Sequence, residues 1–299
     1  MKRPLPASRP PGSREVCAGS AGPPGAPVPG GVYLCQVDRN ISCGACCGLY
    51  NLSNADEANL RALLAARTAA FSAVPRRIDA VADFGRRTAE AIEGRQPISD
   101  FHHCPYIGLI GGGRSRVGCL LHPLAAGNEG IDLRGLSHYG GMACRIYFCP
   151  SHEALSPAWK RIVQQTAGSW YLYGLAITED ELLAGLFGIL EEAVGRPITE
   201  ADIVGDPQSV RAIQGLLQLK CNWPFRPDHV PGPVNYFFKD RHRARPPVVY
   251  PARRAHPSRF DAVFRALGSA FHSEAALADA EARIRAPISL IAERINASR

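Results

Sequence analysis

The chain has 299 residues, 46% hydrophobic and 20% charged, with a formal net charge of +7, enough for one large or two ordinary domains with a real core. No run approaches the ~18 consecutive apolar residues of a membrane-spanning helix. The N-terminus opens on Lys2 and Arg3 but has no apolar run of the kind a secretory signal needs. Ten cysteines in such a chain point to a reducing, cytoplasmic location, where thiols bind metal or do chemistry more often than they pair.

Residues 1–31 hold eight Pro and six Gly and almost no large apolar side chain, which predicts a disordered tail with Cys17 as an unligated thiol. Residues 32–155 form the expected cysteine-cluster domain, with two helices inside it. Ser53 and Asp56 make a capping signature ahead of Leu60, Leu63, Leu64 and Phe71 at helical spacing. A second helix starts at Pro75, buries Ile78, Val81, Ala82, Ala89 and Ile92, and stops at Gly94. Its Arg76, Arg77, Arg86 and Arg87 read as a solvated face.

Residues 156–299 form a helical domain. Ser156 and Pro157 are an N-cap and first helical residue leading into Trp159, Ile162, Val163, Thr166 and Trp170. Thr178 and Glu181 form a capping box ahead of Leu182, Leu183, Leu186, Phe187 and Leu190, and Gly195 ends that helix. Asp206 and Pro207 open a third helix through Val210, Ile213, Leu216 and Leu217. Eight prolines make residues 222–257 an irregular strap of net charge +5. Helices at about 258–271 and 273–295 close the chain, with Pro287 kinking or dividing the last. The fold class expected is mainly α: an irregular, metal-centred cysteine-cluster domain packed on an all-helical C-terminal domain.

Eight of the cysteines fall between Cys35 and Cys149. Cys43-Gly-Ala-Cys46-Cys47-Gly brings two thiols to one centre, and Gly44 and Gly48 permit the tight backbone this requires. Cys104 is followed by Pro105, Cys119 by Pro123 and Cys149 by Pro150, and Arg145 follows Cys144. Neighbouring side chains diverge, so Cys46 and Cys47 serve two metals, bind different atoms of one polynuclear cluster, or include a spare thiol. Eight thiolates packed together need a cation in low dielectric. The set suits two four-thiolate zinc sites or iron–sulfur clusters equally. Arg114, Arg116 and Arg145 are the expected donors to sulfur. Cys17 and Cys221 should lie outside the group. His102, His103, His122 and His138 each read first as hydrogen-bonding or surface residues, and His122, at Cys-x-x-His spacing from Cys119, is the best candidate among them for a nitrogen ligand.

This order of motifs resembles the YkgJ-type cysteine-cluster family, whose Cys-x-x-Cys-x-x-Cys-Cys domain is described as chelating zinc or iron and with which flagellin lysine N-methylases are grouped. The resemblance spans about residues 35–150 and implies a metal role for Cys43, Cys46, Cys47, Cys104, Cys119 and Cys144. Two departures stand out. The family's first cysteine falls on Asn40 here, which leaves open whether Cys35 substitutes for it through a longer loop, and residues 125–141 are an insertion.

The function expected is a cytoplasmic protein that binds zinc or an iron–sulfur cluster through Cys35, Cys43, Cys46, Cys47, Cys104, Cys119, Cys144 and Cys149, the centre being structural or serving metal handling. One alternative is a metal-dependent enzyme, redox or protein N-methyltransferase-like, although no S-adenosylmethionine or dinucleotide fingerprint is present. Another is a zinc-stabilised adaptor whose strap, Tyr236, Phe237 and Phe238 ahead of Lys239, Arg241, His242, Arg243 and Arg245, binds nucleic acid or an acidic partner. The partner set is a metal ion with room for a protein; nucleic acid is disfavoured and no membrane is expected. The glycines at 111–113 lack P-loop spacing and read as a loop presenting Cys119.

Overall fold

Local signals set most of the helices. Asp56 accepts a hydrogen bond from the Asn59 amide at 2.9 Å and starts α1 (Glu57–Ser72), which buries Leu60, Leu64 and Phe71 on one face. α2 (Ile78–Glu90) follows. Ser156 and Pro157 start α5 (Pro157–Thr166), after the short α3 (Gly140–Ile146) and α4 (Ser151–Ala154). Then come α6 (Trp170–Ile177), α7 (Asp180–Val194), α8 (Glu200–Val204), α9 (Pro207–Asn222), α10 (Asp261–Leu267) and α11 (Glu274–Ala297). The computed structural model describes residues 27–99, 101–230, 245–252 and 256–297. The tail up to residue 26, Cys17 included, and the basic-aromatic strap at 231–244 lie outside the described residues.

The chain is mainly helical, as its periodicity predicts, and no helix among the described residues is long and apolar enough to cross a membrane. Several details depart from the sequence reading. Ile78 sits on the first turn of α2 and is exposed, while Phe84 and Gly85 face inward. Gly85 is required there because a Cβ would lie 2.0 Å from the Tyr106 hydroxyl. Trp170 belongs to its own helix, because Gly168, at φ +76°, ends the preceding one and Ser169 caps α6. No Thr178–Glu181 capping box forms. The Thr178 hydroxyl donates back to the Gly174 carbonyl, and the residue before α7 is Glu179, whose carboxylate is buried against Lys220 at 2.8 Å and against Arg245. α11 runs through Pro287 without a break, since Ile284, Ile288 and Ile291 are buried on α7 and α9 and that packing offsets the missing hydrogen bond. Two antiparallel strands, β1 (Ile107–Ile110) and β2 (Arg116–Cys119), pair around the glycine turn with Ile107 opposite Cys119.

α6 is buried on every side, the mark of a helix enclosed by its own fold. One face, Leu172, Tyr173, Ala176 and Ile177, packs with α5, α7, α9, α10 and α11 and with Val32, Leu34 and Ile41. The other, Trp170, Tyr171 and Leu175, packs with Leu49, Tyr50, Leu60, Leu64, Ile107 and Val117. A third cluster joins Phe71, Val81, Phe84, Tyr106, Leu121 and Leu133. The cysteine-bearing segments are thus anchored in the same core as the C-terminal helices.

Gly174 tests this arrangement, since a Cβ there would lie 2.2 Å from the buried Tyr50 hydroxyl, whereas one at Gly188, exposed on α7, would meet nothing. Gly174→Ala is expected to cost ~1–3 kcal/mol, and Gly188→Ala to add ~0.5–1 kcal/mol, read as opposite shifts of the urea midpoint at constant m.

Candidate metal centre

Four segments carry the eight thiols. The first is a loop closed by the Cys43 amide donating to the Cys35 carbonyl at 2.8 Å, with Gln36 bridged to Ser42 and the Asp38 carboxylate accepting from the Asn40 and Ile41 amides. Buried Leu34 and Ile41 pin both arms. The chain then turns through a single 3₁₀ turn, Ala45–Cys47. Gly48, at φ +71°, must be glycine: a Cβ would lie 1.9 Å from the His102 carbonyl.

That close approach brings in the second segment. The Cys104 amide donates to the Cys47 carbonyl at 2.8 Å, and His103 bonds the Gly48 carbonyl at 2.9 Å. Beneath it lies Arg67, buried on α1, whose guanidinium donates to the carbonyls of Cys104 and Ile107, both at 3.2 Å, and meets His103 at 3.1 Å. The third segment is β2, which ends at Cys119, tied on by the Leu120 amide to the Tyr106 carbonyl. The fourth carries Cys144 on α3 and Cys149 just before α4. The Cys144 thiol lies 3.1 Å from the Ser137 hydroxyl, and the Cys149 thiol 3.5 Å from Nδ1 of His152.

The thiols sense one another. Burial, then Cys46 and Cys149, push the Cys35 thiol up. Burial, then the same two neighbours, do so to Cys43. Cys119 is pushed up to about 12 by burial and by Cys104 and Cys144, and Cys149 up to about 11 by burial and Cys46. Cys104 runs the other way, lowered chiefly by the neighbouring Cys47 thiol and also by the His102 ring. Thiols in such surroundings are mostly protonated until a cation displaces the protons. Among the described residues, no group of three or more Cys, His, Asp or Glu side chains is poised to hold one ion as it stands. The donors are neighbours short of ligating geometry. Eight soft sulfurs with two imidazoles at their margin nonetheless suit zinc or an iron–sulfur cluster, and suit a hard cation poorly.

The cations facing the sulfurs differ from those expected. Arg145 pairs with Asp132 at 2.7 Å, Arg116 donates to the Asp38 carbonyl, and Arg114 is exposed on the glycine turn. Their places are taken by Arg67 beside Cys104, Arg134 beside Cys119 and Cys144, and Lys160 beside Cys149. Lys160 is fully buried, with Nζ donating to the carbonyls of Gly30 at 3.0 Å and of His152. Among the described residues neither Arg67 nor Lys160 has a carboxylate partner.

His122 is not a sulfur neighbour. Its Nδ1 accepts from the Leu124 amide at 3.1 Å within a turn held by Asn128. The histidine that does approach a thiol with Cys-x-x-His spacing is His152, three residues after Cys149, a repeat of the pattern that drew attention to His122. His102 stacks on His138 at 4.0 Å and reaches Cys104. Cys221 stands apart among Lys220, Tyr171 and Arg226.

The chain matches no protein-family model, no curated protein and no solved structure.

Arg67 ties the Cys104 turn to β1 through the carbonyls of Cys104 and Ile107, the first of which also accepts from the Ile107 amide at 3.4 Å. Arg67→Met, which keeps the packing and removes the donors, is expected to cost ~1–3 kcal/mol by taking the buried donor from the Ile107 carbonyl. Urea denaturation of the reduced protein measures it.

Proposed function

We propose that this is a metal-binding cysteine-cluster protein, with Cys35, Cys43, Cys46, Cys47, Cys104, Cys119, Cys144 and Cys149 holding zinc or an iron–sulfur cluster. The reading rests on one observation above the others. Two buried cations, Arg67 and Lys160, have no carboxylate partner among the described residues, and the acid group beside each is a cluster thiol, Cys104 and Cys149 respectively. A buried ammonium or guanidinium without a counter-charge is expensive. A thiolate cluster that keeps residual negative charge after binding metal is the counter-charge that suits them. The motif order resembling the YkgJ-type family belongs with this reading, and the residues between Cys119 and Cys144 that depart from it supply Asp132 and Arg134 to the cluster's edge.

The centre serves the fold at least in part. The loops at 32–55 and 101–150 contain little regular structure, so cross-linking through metal stabilises them where hydrogen-bonded ladders do not.

Anaerobic purification followed by metal analysis and a visible spectrum tests the proposal. Stoichiometric zinc in a colourless protein, or iron and sulfide with charge-transfer absorption, is the expected result. A reduced, folded protein that carries no metal and takes up neither zinc nor ferrous iron with sulfide defeats it. Because most of the thiols are held protonated, loading should release protons and tighten as pH rises. Chelation under reducing conditions is expected to expose residues 32–155 to protease while α5–α11 keep their far-ultraviolet helical signal.

A further inference from the structure

We infer that the outer face of α3 is a self-association surface, on which a second copy of this chain docks about a two-fold axis. The inference stands apart from the metal-binding reading, because no sulfur takes part in the contact.

Exposed apolar side chains gather there. Among the described residues ten large hydrophobic side chains are exposed, and six of them fall between Leu124 and Tyr147. Met142 and Ile146 are 71% and 58% exposed and share one face of α3, a turn apart. Cys144, midway between them, points to the other side, where its thiol meets the Ser137 hydroxyl at 3.1 Å. Ile131, 52% exposed, is drawn to the same helix by its neighbour Asp132, which pairs with Arg145 at 2.7 Å. Tyr139 and Tyr147, each half-exposed, flank the helix at its two ends. These five side chains present on the order of 500 Å² of surface, the size at which a patch on a monomer is commonly functional. With a polar rim they approach the ~800 Å² per partner of a standard interface.

The helix itself lacks a cover. It is seven residues long, buries none of them, and is fastened by the Arg145–Asp132 pair, the Ser137 contact and the Arg134–Leu136 turn on which it packs. So short a helix is marginal in water by itself, and a half-exposed ion pair adds little. Packing Met142 and Ile146 against an apolar surface supplies what the rest of the fold does not. Charge selects the partner. The chain carries +7, yet residues 124–147 hold two acids, Glu129 and Asp132, against two cations, Arg134 and Arg145, and so are neutral. Both of those cations are already paired with Asp132, which leaves neither to attract an acidic protein or a nucleic acid. A second copy meets a neutral surface, with the repulsion between two positive chains kept away from the contact. About a two-fold axis the patch faces itself: Met142 and Ile146 of each copy pack at the centre, and the Arg145–Asp132 pairs, one on each copy, form part of the rim.

Analytical ultracentrifugation of the reduced full chain reads this directly. Wild type should pass from one chain to two as concentration rises, with a Kd of about 1–100 µM. Met142→Glu and Ile146→Glu, which set like charges across the axis, should each weaken association about tenfold or more. Mixed one to one, Ile146→Lys and Ile146→Glu should form a dimer that neither forms alone, as a two-fold contact requires. Leu290→Glu, an exposed change on α11, should associate as wild type does, and the helical signal of each variant confirms that it is folded. Amide exchange at residues 142–147 should slow as the protein is concentrated. A wild type that stays monomeric throughout this range, a dimer untouched by either glutamate, or one lost equally in Leu290→Glu defeats the proposal. So does exchange that is already slow in the monomer, which means that the chain covers this face itself.

Discussion

Three tyrosine hydroxyls hold the cysteine segments to the helical body. Tyr173 donates to the Leu34 carbonyl at 2.9 Å, Tyr50 to the Tyr171 carbonyl at 3.0 Å, and Tyr171 to the Ala55 carbonyl at 2.9 Å. All three bonds are buried, where a carbonyl without a donor costs ~1–3 kcal/mol. They leave the chain from 34 to 55 little choice of path across α6. With that path set, Cys35, Cys43, Cys46 and Cys47 lie within reach of the loops that bring Cys104, Cys119, Cys144 and Cys149.

Charge explains why so polar a cluster sits next to an apolar core. Thiols are small and nearly apolar when protonated, so they bury without large penalty before metal arrives. Arg67 and Lys160 cannot do this, and their burial only makes sense beside something that becomes negative. Carbonyl oxygens accept from Arg67 Nη1 and Lys160 Nζ but do not offset their charge, and buried Arg67 Nη2 has no partner. On the metal-binding reading proposed above, the thiols ionise as metal binds and supply that counter-charge.

Much of this was legible in the sequence. Helices α5, α7, α9, α10 and α11 follow from apolar period, and Ser156, Asp206 and Gly195 mark ends where they are expected, whereas α6, buried on every side, and the short α8 were not foreseen. The cysteines identified themselves by number and spacing. What stayed hidden depends on long-range packing. Arg67 and Lys160 lie on amphipathic helices, where a basic residue ordinarily faces solvent, and only the partner surfaces reveal that they point inward. Glu179, between the Thr178 and Glu181 read as a capping box, drew no notice because its ion-pair partner Lys220 is on another helix. The β1–β2 hairpin escaped notice because its strands are four residues each and rich in glycine, too short for alternation to register. His152 could have been found, since Cys149-Pro-Ser-His152 repeats the spacing already noticed at Cys119.

The bonds that close the structure span much of the chain. Tyr173 and Leu34 are 139 positions apart, and Lys160 and Gly30 are 130 apart. Contacts of that separation form late, because the loop between them must first be closed. During synthesis all eight cluster cysteines leave the ribosome before Lys160 and α6 do. For that interval they are reduced, unsheltered sulfurs on a chain that has no surface yet on which to gather them. Translation order therefore leaves those thiols without their packing surface until the second half of the chain arrives.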